Sequence, residues 1–185
     1  MCRYGMYSYK PHYACFNCRK TFKRKLLVDV DRDAAYNKEK KSATCPECGS
    51  LTMDMGLDFE SPKKTDLKAW KHIENLYQAG ITFHSCGCTG PGYIPKDKKQ
   101  LMNLLLKRKE QYIDHLRFWK NRIEPQTQSE KQTDWKQHQD YLFTLPEDVK
   151  SGPQKNRKIE TDKAVIYWTE KVSDIESKIE ELGIS

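Results

Sequence analysis

Cys15-Phe16-Asn17-Cys18 and Cys45-Pro46-Glu47-Cys48 are the two stretches that decide how the front of this chain folds. Each is a C-x-x-C, and 26 residues (19–44) separate them. Two residues between paired cysteines let both sulfurs point at one ion while backbone N–H groups face the sulfurs, so two such pairs can wrap one tetrahedral metal ion, most often Zn²⁺. A closed shell of four thiolates leaves no position for a reactive water. The expected metal at Cys15, Cys18, Cys45 and Cys48 is therefore structural rather than catalytic.

The flanking residues read as strands. Tyr7, Tyr9 and Tyr13 keep a period of two, and Pro11 asks for an edge position. The run from Thr21 to Val28 reads as a return strand, residues 29–42 as a charged connecting loop, and Leu51 to Met55 as a third strand. Gly49 supplies the positive φ wanted after the last ligand of the second turn. These paired knuckles resemble the rubredoxin-like and zinc-ribbon families over residues 7–57. The second knuckle, Cys45-Pro46-Glu47-Cys48-Gly49, fits that pattern. The first has Arg19 where rubredoxin-type knuckles carry glycine, which favours zinc over an electron-transferring iron, although thiolates alone accept either. The resemblance implies a metal-stapled module of a kind often found on nucleic acid or in transcription and ribosomal assemblies.

Beyond the knuckles the chain turns helical. Ser61-Pro62 suggests a helix start, with Leu67, Trp70 and Tyr77 on one face, Trp70 as the anchor on the sheet, and Gly80 as the stop. A Cys-, Gly- and Pro-rich loop follows over 84–95. Then come a long helix over about 98–123, striped by Leu101, Leu105, Tyr112, Leu116, Trp119 and Ile123, a polar linker over 126–133, and a short helix over 134–143. A last helix over about 159–182 carries a near-heptad seam of Ile166, Val172, Ile175, Ile179 and Leu182. Trp119, Trp135 and Trp168 read as anchors between helices. The expected fold is α+β: a zinc ribbon over 1–60, a docked helix and loop over 61–96, and a helical extension over 97–185.

Only 37% of the residues are hydrophobic and 32% are charged, too few apolar side chains for a single large core. The net charge of +7 is lopsided. Residues 1–99 hold 18 Lys and Arg against 11 Asp and Glu, whereas residues 100–185 hold 15 of each. Five cations, Arg19, Lys20, Lys23, Arg24 and Lys25, crowd the seven positions after the first knuckle, with Phe22 among them and Tyr9, Tyr13 and Phe16 nearby. Cations beside rings can contact phosphates and stack bases. Strand alternation puts Lys23 and Lys25 on the face opposite Phe22 and Arg24. His84, Cys86 and Cys88 sit within five residues. They could form a second metal site with His72, His12 or Cys2, supply a reactive thiol with His84 as its base, or be buried structurally.

No run of residues is apolar enough to span a membrane, the first residues show no leader pattern, and reduced C-x-x-C pairs point to the cytoplasm. No paired-carboxylate, Ser-His-Asp or phosphate-cradling motif supports a standard hydrolase or transferase. The expected function is non-enzymatic: a zinc-stabilised protein that binds nucleic acid, DNA or RNA, or sits in a ribonucleoprotein. A protein-interaction adaptor working through the C-terminal helices and a thiol-dependent protein using the His84–Cys88 loop are the alternatives.

Overall fold

The computed structural model describes residues 10–25, 43–84, 90–152 and 158–184. The fold is α+β, and the chain divides into two compact units, residues 1–101 and 102–185.

In the first unit, β1 (His12–Cys15), β2 (Lys20–Lys23) and β3 (Met53–Gly56) form an antiparallel sheet in the order β2-β1-β3. Tyr13 pairs with Phe22 on one side and Asp54 on the other, and Ala14 pairs with Thr21 and Met53. Because successive side chains alternate, Ala14 points into the core beside Met55, Phe59, Trp70 and Ile73. Tyr13, Phe22 and Asp54 lie on the opposite face. The expected strand residues Tyr7, Tyr9 and Leu26–Val28, and the whole of the loop over 29–42, lie outside the described residues.

Helix α1 (Leu67–Gln78) lays Trp70 and Ile73 against the sheet, as expected of the anchor. It starts five residues later than the Ser61-Pro62 signal suggests. The Ser61 hydroxyl donates instead to the Pro62 carbonyl, and the Lys63 carbonyl accepts the Trp70 indole N–H at 3.2 Å. The working N-cap is Asp66, whose carboxylate accepts from the Ala69 N–H at 3.0 Å. At the other end, Gly80 (φ 77°) donates to Tyr77 and Ile81 donates to Leu76, closing a Schellman motif with both apolar partners buried.

The chain then returns to the sheet. Phe83 N–H donates to the Met55 carbonyl at 2.8 Å, and the Phe83 carbonyl accepts from Asp58. Gly56 (φ 92°) lies directly beneath, where a Cβ would stand 2.5–2.6 Å from the backbone of Phe83 and His84. Gly56→Ala should therefore cost about 3 kcal/mol through positive-φ strain and backbone collision. Chemical denaturation of the first unit, followed by Trp70 fluorescence, would measure it; an unchanged midpoint would contradict this packing.

In the second unit, α2 (Lys98–Lys120, which begins in the first unit), α3 (Gln128–Phe143) and α4 (Thr161–Ile184) supply the core. It contains Trp119, Leu142, Leu145, Val149, Ala164 and Trp168. A short hairpin, β4 (Lys150–Ser151) with β5 (Lys158–Ile159), leads into α4. Several expectations are corrected here. Helix α2 stops at Lys120, so Ile123 leaves the stripe and is 91% exposed. The segment read as linker over 126–133 is largely the first half of α3, secured by a capping box. Thr127 Oγ1 accepts from the Glu130 N–H, and the Glu130 carboxylate accepts from the Thr127 N–H. Trp135 is half exposed rather than an anchor. The seam of α4 is Ala164, Trp168, Ile175 and Leu182, seven-residue spacing from Trp168 on, and Ile166 faces out.

Among the described residues, no helix is long and apolar enough to cross a membrane.

Candidate metal centre

The two cysteine turns have the same backbone despite different residues. In the first, β1 ends on Cys15, and the Arg19 N–H donates to the Cys15 carbonyl at 2.9 Å. In the second, the Gly49 N–H donates to the Cys45 carbonyl at 2.9 Å. Both donors have left-handed backbone, Arg19 at φ 57° and Gly49 at φ 72°. The non-glycine residue that sets the first knuckle apart in sequence thus leaves its geometry unchanged and bears the strain. Arg19→Gly should raise the stability of the metal-loaded protein by about 1 kcal/mol; a fall in its denaturation midpoint would contradict this. The second turn is braced by a bridge pairing Thr44 with Leu51 and by a Cys45 N–H to Ser50 carbonyl bond of 2.8 Å. The Thr52 hydroxyl and N–H both donate to the Ala43 carbonyl.

These turns bring four sulfurs together from positions up to 33 apart in sequence. All lie within 4.8 Å of one another, with Cys15–Cys48 and Cys18–Cys45 at 3.5 Å. None is in a disulfide. A tetrahedral ion with bonds of about 2.3 Å to sulfur puts its ligands about 3.8 Å apart, so the spacing suits one metal ion. Cys15 and Cys45 are buried and Cys48 is exposed.

The surroundings favour charge on the sulfurs at one side. The Glu47 N–H donates to Cys45 Sγ at 3.4 Å, and the Asn17 amide reaches Cys48 Sγ at 3.7 Å. Hydrogen bonds from the Ser50 side chain and backbone lower the Cys48 thiol to about 6. Burial pushes Cys15 up. Lys64 holds Glu47 at 2.7 Å and Lys20 approaches the same carboxylate at 3.7 Å, so two cations stand at the second knuckle. The Lys64 hydrogen bond keeps Glu47 below the usual glutamate range.

The other expected site residues are placed as follows. Lys20, Lys23 and Lys25 are exposed, while Arg19 and Arg24 are half buried. Lys20 and Lys23 lie at opposite ends of β2, and Arg24 and Lys25 lie just past its end. Phe16 turns into the core against Trp70 and Tyr77, away from Tyr13. Tyr13 stacks on Phe22, centroids 5.9 Å apart and planes 20° apart. His84 Nε2 stands 3.6 Å from Asp54. Cys2, Cys86 and Cys88 lie outside the described residues. His72 Nε2 bonds the Pro95 carbonyl at 2.9 Å and His12 packs edge-on to Phe59, so neither ring is gathered into a second ligand cluster among the described residues.

Sequence reasoning missed a second polar cluster, in the other unit. Arg122, just past α2, grips Asp134 of α3 with both terminal guanidinium nitrogens, Nη2 at 2.6 Å and Nη1 at 3.1 Å, and Asp134 also bonds His138 Nδ1 at 2.9 Å. Its signal was a lone arginine two residues past a helix end, which nothing in the sequence connects to Asp134.

Compared with protein-family models, curated proteins and solved structures, the chain finds no match.

Proposed function

We propose that this is a non-enzymatic, zinc-stabilised nucleic-acid-binding or ribonucleoprotein-associated protein whose first unit carries a zinc ribbon. One Zn²⁺ is held by Cys15, Cys18, Cys45 and Cys48. The observation that carries the metal is the convergence of four sulfurs on two equivalent, hydrogen-bonded turns. Zinc is favoured over iron because a closed tetrathiolate shell in a strained but braced scaffold serves structure and needs no redox change.

The basic hairpin beside this centre takes the polyanion. Its five cations divide into two groups. Arg19 and Lys20 sit at the knuckle end, where they also offset the net −2 charge of a zinc tetrathiolate. Lys23, Arg24 and Lys25 lie about 10 Å along the strand from the cysteines, clear of that charge. They are the better phosphate contacts.

The test is binding of a fluorescent oligonucleotide at several salt concentrations. Reversing Lys23, Arg24 and Lys25 to Glu should abolish binding at low salt with metal content unchanged. The logarithm of the wild-type affinity should fall linearly with log salt, with about two units of slope owed to these three contacts. Undiminished binding by the reversed protein would contradict the assignment. One observation favours the adaptor reading for the second unit: Trp135 and Phe143, 4.9 Å apart on α3, are 48% and 65% exposed.

A further inference from the structure

We infer that the outer face of the β2-β1-β3 sheet is a base-stacking platform for single-stranded nucleic acid, with Tyr13 and Phe22 as its floor. The inference rests on the polyanion-binding reading above and adds the strand type and the orientation of the bound chain.

The sheet separates two sets of rings. Phe16, Phe59, Trp70 and Phe83 belong to the core side. Tyr13 and Phe22 form a stacked pair on the other side, partly buried and, among the described residues, outside the cluster behind the sheet. In a near-parallel stacked pair each ring covers one face of the other, so a base would extend the stack on an outer ring face. Stacking of this kind tolerates any base and requires the base to be unpaired.

Charge around the platform is ordered. On the β2 side, an edge strand among the described residues, Arg24 shares the face of Phe22, while alternation puts Lys23 and Lys25 on the other face of that edge. Arg24 is close enough to Tyr13 to act on its phenol electrostatically, as is Asp54 from the opposite side. Asp54 pairs with Tyr13 across β1 and β3, and its Oδ1 already accepts the Gly56 N–H at 3.0 Å. His84 stands beside it. A carboxylate repels phosphate and accepts from an exocyclic amino group. The backbone therefore runs past Arg24 on the β2 side, the base lies over Tyr13, and its amino-bearing edge turns toward Asp54. Cytosine and adenine present such an amino group; uracil and thymine do not.

The experiment uses the full chain, metal-loaded, with short single-stranded oligocytidine, oligouridine and a mixed-sequence duplex of equal length, read by fluorescence anisotropy at fixed salt. The expected order is oligocytidine tighter than oligouridine, and both tighter than the duplex. The Tyr13→Ala, Phe22→Ala double variant should bind oligocytidine about tenfold more weakly or worse, while Tyr13→Phe, which keeps the ring, binds as wild type. Asp54→Asn should narrow the gap between oligocytidine and oligouridine. Metal content and far-ultraviolet dichroism identify any variant that has lost its fold. For such a variant the ligand series on the wild-type protein decides: binding that favours the duplex overturns the platform. If the double variant folds and binds oligocytidine like the wild type while the Lys23, Arg24, Lys25 reversal does not, the platform is wrong and the polyanion reading stands. If neither variant loses affinity, both fail.

Discussion

Cys45→Ser is expected to strip the first unit of the proposed metal and of its fold, while the second unit keeps its helices. Cys45 is buried at the base of the second knuckle, and its carbonyl and N–H both hold that turn together. Among the described residues the apolar cluster behind the sheet comprises Ala14, Met55, Phe59, Trp70 and Ile73, with Phe16, Met53, Tyr77 and Phe83 packed against it. A core that small supplies little net stability against the entropy of ordering the strands. A structural tetrathiolate zinc contributes about 10–16 kcal/mol of apparent binding energy in small peptides, so the metal dominates the balance. Losing one thiolate should release the ion, expose Trp70 and raise proteolysis between the knuckles. The second unit, with Trp119 and Trp168 buried in its own core, should remain helical by circular dichroism. A variant that keeps its metal and its protected Trp70 would show that the fold does not depend on the fourth sulfur.

Arg122→Met is expected to be the most damaging single change in the second unit, at about 3–5 kcal/mol. The Arg122 and Asp134 side chains are 8% and 16% exposed, so removal of the guanidinium leaves a carboxylate with little water to solvate it. Arg122 also lies over the rings of Trp119, at 5.0 Å, and Phe118, at 5.3 Å, and both contacts would weaken. The double variant Arg122→Met, Asp134→Leu should recover most of the loss, because it removes the stranded charge along with its partner. A double variant no more stable than the single one would contradict that account.

The pair also sets a pH dependence. Burial by itself would raise the Asp134 carboxyl, but the bonds from Arg122 and His138 outweigh it and hold the group below its ordinary value of 3.8. A depressed carboxyl contributes stability that is fully present above its unfolded value and is lost as pH falls through the folded one. The second unit should therefore lose stability in acid below about pH 4, and Asp134→Asn should flatten that part of the profile.

The front of the molecule was legible because cysteine spacing is a local code. Two C-x-x-C turns fix where the chain folds back, and alternation puts Tyr13 on the face opposite Ala14, while which face is buried is decided by the packing of Trp70 and Ile73 on Ala14. The equivalent backbone at Arg19 was not legible, since left-handed φ is read from glycine and arginine gives no such sign. The start of α1 was misread because Ser61-Pro62 is a good helix opening locally, yet burial of Trp70 against the sheet places the cap at Asp66. The first half of α3 was missed for the opposite reason. Its Thr127–Glu130 capping box was present in the sequence, but Gln, Lys and Thr give that segment no apolar stripe. The Arg122–Asp134–His138 cluster depends on a helix reversal, a tertiary fact that no local pattern carries.

The central claim is that one metal ion holds the two knuckles together. Elemental analysis of the purified full chain, with a count of reactive thiols on the same sample, tests it most directly. The account predicts one zinc per chain, with Cys15, Cys18, Cys45 and Cys48 protected from alkylation until a chelator removes it. A metal-free folded protein whose four thiols alkylate freely, or a chain with Cys15 and Cys48 joined as a disulfide, would contradict it.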